Sequence, residues 1–148
     1  MKLKKEEIKT FINQFIKFGI IGAVNTVISY AITNGGYYLL HLHEQIANII
    51  AFTITVFISF MLNSKFVFKK DEGENRNVWW TLCKTFISYA GTGLILSNIL
   101  LVFFIEKIGI SKYIAPIFGL IITIPINFLV NKFWSFKTKK TEIENEEN

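Results

Sequence analysis

Asn25, Thr26, Asn63, Asn127 and Asn131 lie in stretches otherwise built of Ile, Leu, Val, Phe and Ala, as do Ser59, Ser88, Thr92 and Ser97. An amide or hydroxyl turned toward hydrocarbon costs several kcal/mol, so these groups must meet partner helices or a hydrated cavity. Ser59 and Asn63 are four residues apart, as are Asn127 and Asn131, so each pair shares one face of a helix. Part of the set serves as interhelical glue, alongside small-residue packing at Gly19/Ala23 and Gly93/Ser97. The asparagines outnumber what packing requires. A cavity lined with neutral hydrogen-bonding groups suits an uncharged, hydroxyl-rich moiety such as a sugar.

Charged chemistry sits at the ends of the same stretches. Lys65, Lys84 and Lys132 fall within about a turn of an apolar boundary, and Lys112 falls at an opposite boundary. Their default role is to mark the membrane surface, with the stem snorkelling along lipid. The sharper expectation is that Lys65, Lys84 and Lys132 neutralise a lipid phosphate on one side and Lys112 receives it on the other. Trp79, Trp80 and Trp134 have two roles open to them, stacking on a sugar face or anchoring at the interface. No Asp or Glu lies deep in an apolar stretch, which argues against proton- or cation-coupled pumping through an intramembrane carboxylate. The lone Cys83 has no partner for an intrachain disulfide, and His41 with His43 makes a weak metal site.

These residues have to be positioned by membrane helices. Residues 18–43, 45–64, 85–105 and 113–131 contain no Asp, Glu, Lys or Arg, in runs of 26, 20, 21 and 19 residues. A helix needs about 20 mostly apolar residues to cross the hydrocarbon core. Together the runs take 86 of the 148 residues, and the mean hydropathy is +0.41. That leaves no room for a separate soluble catalytic domain. The expected spans are approximately 16–40, 46–66, 84–105 and 113–134 of a single transmembrane domain covering 1–148. The acidic tail 141–148 is expected to be solvated and disordered.

Basic residues predict the orientation. Fourteen of the 16 lie in the N-terminal segment, in the connection between the second and third spans, or at the C-terminal end. Only Lys107 and Lys112 fall on the other side. The positive-inside rule then places both termini and the central connection in the cytoplasm. Short connections at His41–Gln45 and Glu106–Lys112 make the chain two antiparallel hairpins. The expected fold class is thus all-α, four transmembrane helices in two tandem hairpins.

The hairpins also repeat. Residues 47–69 align without a gap on 115–137 at an offset of 68, matching at nine of 23 positions. Apolar matches carry little weight, but Asn63/Asn131, Phe68/Phe136 and Lys69/Lys137 share the pattern Asn-x-x-aromatic-x-Phe-Lys. Both hairpins start on the same side, so the repeat is parallel, and a path would run between the halves. The alternative is a duplication that built only a scaffold.

The first span opens Lys17-Phe18-Gly19-Ile20-Ile21-Gly22-Ala23-Val24-Asn25-Thr26, and the hairpins end Asn63-Ser64-Lys65-Phe66-Val67-Phe68 and Asn131-Lys132-Phe133-Trp134-Ser135-Phe136. With four spans in about 150 residues, this resembles the GtrA-like family over roughly residues 12–137. The family's usual ending is Asn-Arg-x-Trp-x-Phe, and here a lysine at a shifted position keeps the basic character. The resemblance implies a flippase that moves a polyprenyl (undecaprenyl)-phosphate-linked monosaccharide across the bacterial cytoplasmic membrane. The sugar would then decorate a surface polymer such as teichoic acid or O-antigen. It also implies a multi-pass inner-membrane location, no cofactor and no bond-changing chemistry. Expected partners are the lipid-linked sugar, membrane lipid, membrane glycosyltransferases and further copies of the chain, but no nucleic acid. Two other functions compete: a scaffold that recruits a glycosyltransferase through Asp71–Thr81, and a small multidrug-type antiporter.

Overall fold

A computed structural model of the chain describes residues 2–70 and 74–137, and the acidic tail 141–148 lies outside the described residues. Four helices are long and apolar enough to cross a membrane: Lys4–Tyr38, Glu44–Val67, Val78–Lys107 and Ala115–Ser135. Each extends past its charge-free run, because a helix continues into water wherever its backbone hydrogen bonds stay paired. The first helix begins at Lys2 and runs 37 residues. At about 1.5 Å per residue that is about 55 Å, nearly twice the hydrocarbon thickness. Gly35 and Gly36 do not break it.

Local signals start and stop the other helices. His43 caps the second by accepting from the Gln45 amide, and Asn77 caps the third by accepting from the Trp80 amide at 3.0 Å. Pro116 sits in the first turn of the fourth helix, where its missing donor costs nothing, and Pro125 lies inside it. The second and fourth helices both widen into a final π-helical turn, Asn63–Val67 and Asn131–Ser135. Those turns close with Phe68 N–H to Asn63 O at 2.7 Å and Phe136 N–H to Asn131 O at 2.9 Å. The third helix holds a longer π-helical stretch, Ala90–Leu96.

Packing divides the bundle along its length. The connections 39–43 and 108–114 form one end, and the first helix's start, residues 68–70 and 74–77 and residues 136–137 form the other. The first two helices lie close together; a Cβ on Gly36 would come within 3.2 Å of Ala47 Cβ. The first and third helices meet instead through side chains, with the Phe18 and Tyr89 rings 6.4 Å apart. Toward the end holding the termini, Phe18, Phe60, Phe68, Phe128 and Phe136 form the buried core. Phe128 has no exposed surface, with Phe15 at 5.2 Å and Phe18 at 5.5 Å. Phe68 lies 4.8 Å from Phe136 and 5.9 Å from Phe128, and Phe60 lies 6.0 Å from Phe136. In lipid, where apolar burial drives association weakly, such dense ring contact supplies the cohesion.

Candidate functional site

Above the phenyl core, the polar residues of the spans assemble into two hydrogen-bonded clusters. Asn25 Nδ2 donates to Ser59 Oγ, which donates to the Tyr89 hydroxyl at 3.0 Å, and Asn63 Nδ2 reaches the same hydroxyl at 3.4 Å. The second cluster begins one residue away, where Ser88 Oγ donates to Asn127 Oδ1 at 3.2 Å. Asn131 Nδ2 donates to Ser88 Oγ at 3.0 Å and to Asn127 Oδ1 at 2.8 Å. Adjacent residues of the third helix therefore bind the second helix on one side and the fourth on the other.

Hydrogen bonding is incomplete in both clusters. Among the described residues, Asn25 Oδ1, Asn63 Oδ1, Asn131 Oδ1 and Ser135 Oγ are buried without a partner. A buried acceptor left unpaired costs about 1–3 kcal/mol. The three amide oxygens call for hydrogen-bond donors.

A groove of about 620 Å³ opens beside these clusters, between the first, third and fourth helices. Gly19, Gly22, Ala23 and Thr26 line it from the first helix, Tyr89, Thr92, Gly93 and Ser97 from the third, and Thr123 and Asn127 from the fourth. A smaller recess of about 190 Å³ adjoins it, lined by Asn25, Ser29, Thr55 and Ser59 and sharing Gly22, Thr26 and Tyr89. The small residues therefore do not serve the close packing expected of Gly19/Ala23 and Gly93/Ser97. A Cβ built on Gly19, Gly22 or Gly93 meets nothing within 4 Å. These positions hollow out the groove because no opposing backbone approaches them.

Beyond the phenyl core, at the end that holds the termini, lies a separate cleft of about 560 Å³. Glu6, Glu7, Thr10 and Gln14 line it from the first helix, with Lys69, Glu74, Arg76, Lys132 and Lys137 opposite. Phe68 and Phe136 form one wall, so the same rings bound both the cleft and the core. Lys132 Nζ donates to Gln14 Oε1 at 2.6 Å and lies 4.5 Å over the Phe11 ring, while Gln14 Nε2 donates to the Val67 carbonyl at 3.2 Å. Arg76 donates to the Phe68 carbonyl at 2.8 Å and to Ser64 Oγ at 2.9 Å, with its guanidinium over the Phe136 ring. Burial pulls the Arg76 pKa below the usual guanidinium value, and the charge of Glu74 pushes the other way.

The residues singled out from the sequence thus separate into several places. Asn25, Asn63 and Asn131 are buried in the clusters and Asn127 is half-buried on the groove. Thr26 lines the groove while donating to the Gly22 carbonyl at 3.0 Å. Lys84 lies over the Trp80 and Trp134 rings and donates to the Trp134 carbonyl at 3.4 Å. Trp79 and Trp80 are largely exposed. Lys65 is exposed over its neighbour Phe66, and Lys112 is exposed over Tyr113 at the opposite end. The candidate contact segment Asp71–Thr81 lies partly outside the described residues, at 71–73.

Tyr89, Gln14 and Arg76 were not singled out as site residues, and Ser88 stood only among the span hydroxyls that need a polar neighbour. Arg76 had a legible signal, as the only arginine beside 15 lysines. Tyr89 had none, since a tyrosine in a span reads as an ordinary aromatic.

Taken together, the helices and their groove define a multi-span membrane protein with a neutral polar groove set apart from a charged cleft. Residues 17–136 match the family described as GtrA/DPMS, transmembrane domain, and the chain belongs to that family. It is 26% identical over 126 residues to the bactoprenol-linked glucose translocase of Shigella phage SfII, covering 85% of this chain and 97% of that protein. The protein of the same name from Shigella phage SfV matches to the same extent. A prophage bactoprenol-linked glucose translocase homolog of Escherichia coli K12 is 36% identical over 55 residues, covering 37% of this chain and 46% of that one.

Proposed function

We propose that this protein is a flippase that carries a polyprenyl-phosphate-linked monosaccharide across the bacterial cytoplasmic membrane. The sugar would then serve glycosylation of a surface polymer such as teichoic acid or O-antigen. The observation that carries this function is the groove itself: about 620 Å³, uncharged, lined by hydroxyls and an amide, and flanked by buried amide oxygens that lack donors. A sugar supplies hydroxyl donors to such acceptors. Its polyprenyl tail needs no protein, because it stays in lipid while the head crosses. The names of the similar phage proteins point the same way.

In this mechanism Asn25, Thr26, Asn63, Asn127 and Asn131 hold sugar hydroxyls in turn, and Tyr89 links the recess to the groove. Lys65, Lys84 and Lys132 attract the phosphate at the cytoplasmic surface, and Lys112 receives it outside. Trp134 and Trp80 flank Lys84 at that surface, and with Trp79 they offer ring faces to a sugar. No bond changes, so the passage only lowers the barrier to moving a hydroxyl-rich head through hydrocarbon. The 14 basic residues on that side support a cytoplasmic location for both termini.

The two hairpins are proposed to be a parallel repeat about an axis normal to the membrane. Supporting this, an offset of 68 exchanges the Phe60–Phe136 contact with the Phe128–Phe68 contact, at 6.0 and 5.9 Å. The matched π-helical turns at Asn63 and Asn131 agree with it. Four helices enclose only a thin groove, and a homo-oligomer would shield it further.

Purified protein reconstituted alone in liposomes with a fluorescent lipid-linked sugar tests the proposal. Movement between leaflets above that of protein-free liposomes is expected. Its absence would leave the scaffold for a glycosyltransferase as the surviving function.

A further inference from the structure

The groove and the cleft lie on opposite sides of the phenyl core, and only the cleft is charged. Among the described residues it carries four basic side chains, Lys69, Arg76, Lys132 and Lys137, against three carboxylates. One net positive charge remains. Arg76 and Lys132 are its two inner cations, and each is held mainly by neutral acceptors. Arg76 reaches the Phe68 carbonyl and Ser64 Oγ, and Lys132 reaches Gln14 Oε1. Neutral acceptors offset little of a cation's charge, so an anion in the cleft gains hydrogen bonds in which both partners are charged. Arg76 has Glu74 nearby as well, which tempers its field.

Lys132 also joins the cleft to lipid. Its ammonium lies over the Phe11 ring and 6.0 Å from the Phe133 ring, and both rings are exposed on the bundle surface. A phosphate held there can leave an alkyl tail outside. The cleft volume of about 560 Å³ lies within the range of sites that enclose a small organic ligand, well beyond a bare phosphate. Glu6 and Glu7 supply carboxylate acceptors suited to hydroxyl groups.

We propose that this cleft is the loading site of the protein, built for a phosphodiester monoanion with an attached sugar and selective against a bare phosphate monoester. Arg76 and Lys132 take the phosphate oxygens, and the Glu6 and Glu7 carboxylates accept from sugar hydroxyls. A phosphomonoester approaches two negative charges near neutral pH. It would exceed the single net charge of the cleft and bring no hydroxyls for the carboxylates. When Arg76 turns to the phosphate it releases the Phe68 carbonyl, freeing one of the rings that wall off the core. The site presupposes the translocation proposed above and names how its cargo is selected.

The test is binding of dodecyl phosphoglucose and dodecyl phosphate to the detergent-purified full chain by titration calorimetry, with inorganic phosphate as the tail-free control. Wild type is expected to prefer the phosphodiester by about tenfold, and Arg76→Gln and Lys132→Gln to lose about tenfold, the size of one lost bond to a charged group. Arg76→Lys should recover part of the loss, and Lys17→Gln, an exposed lysine away from the cleft, should bind as wild type. Thermal melts of each variant separate lost binding from lost folding. Equal affinity for the two alkyl probes, or undiminished binding by folded Arg76→Gln and Lys132→Gln, would overturn the loading site while leaving translocation standing. Binding of neither alkyl probe by wild type would overturn the proposed function itself.

Discussion

The two ends of this bundle are built on opposite principles. Near the termini, five phenylalanines fill the space between all the helices but the third, and Tyr89 closes that side. Farther along, the first and third helices stand apart over glycines whose missing side chains have no neighbour to touch. The contrast shows where the polar residues are useful. Asn25, Asn63 and Asn131 sit at the border, held by hydrogen bonds on one side and short of donors on the other. For the proposed translocation, a bundle packed alike throughout would offer no passage, and one open throughout would offer no barrier to leakage.

The largest expected effect comes from breaking the packed end. Phe128→Ala removes a fully buried ring that touches four other phenylalanines and should cost about 3–5 kcal/mol, read as a fall in melting temperature in detergent. A cost below about 1 kcal/mol would mean that the rings pack loosely and bar nothing.

Two glycines of the first helix sharpen the contrast. Gly36→Leu meets Ala47 and should destabilise by about 1–3 kcal/mol. A Cβ on Gly22 meets nothing within 4 Å and opens onto the groove, so Gly22→Leu should fold normally and yet lose transport in liposomes, because the side chain fills the groove. Retained transport in Gly22→Leu would place the path elsewhere.

A smaller change is expected from Tyr89→Phe. It keeps the ring against Phe18 and removes the hydroxyl shared by Ser59 and Asn63, for about 1 kcal/mol. Transport should fall more than stability, measured side by side on one preparation. The smallest effect belongs to Lys65→Gln. Its lysine is exposed and covers only Phe66, so melting should shift by less than about 0.5 kcal/mol. Lys132→Gln should impair transport more than Lys65→Gln; equal losses would reduce both to general surface charge.

Much of this was legible from residue order alone. Four charge-free runs imply four membrane helices, because a backbone in lipid must pair its own hydrogen bonds and a helix does so within one segment. The family likeness was carried by short motifs around Asn25, Asn63 and Asn131 that survive in one dimension. What only the tertiary structure decided is which small residues pack and which leave space. Gly36 and Gly22 are the same residue in the same helix, yet one touches a neighbour and the other does not. The pairing of Tyr89 with Ser59 and Asn63 likewise joins two helices far apart in sequence, and Arg76 folds back onto the end of the second helix. Sequence patterning reports each helix's polarity, which local solvation sets. The distance between two helices depends on every side chain between them, and that is settled only when all four pack at once.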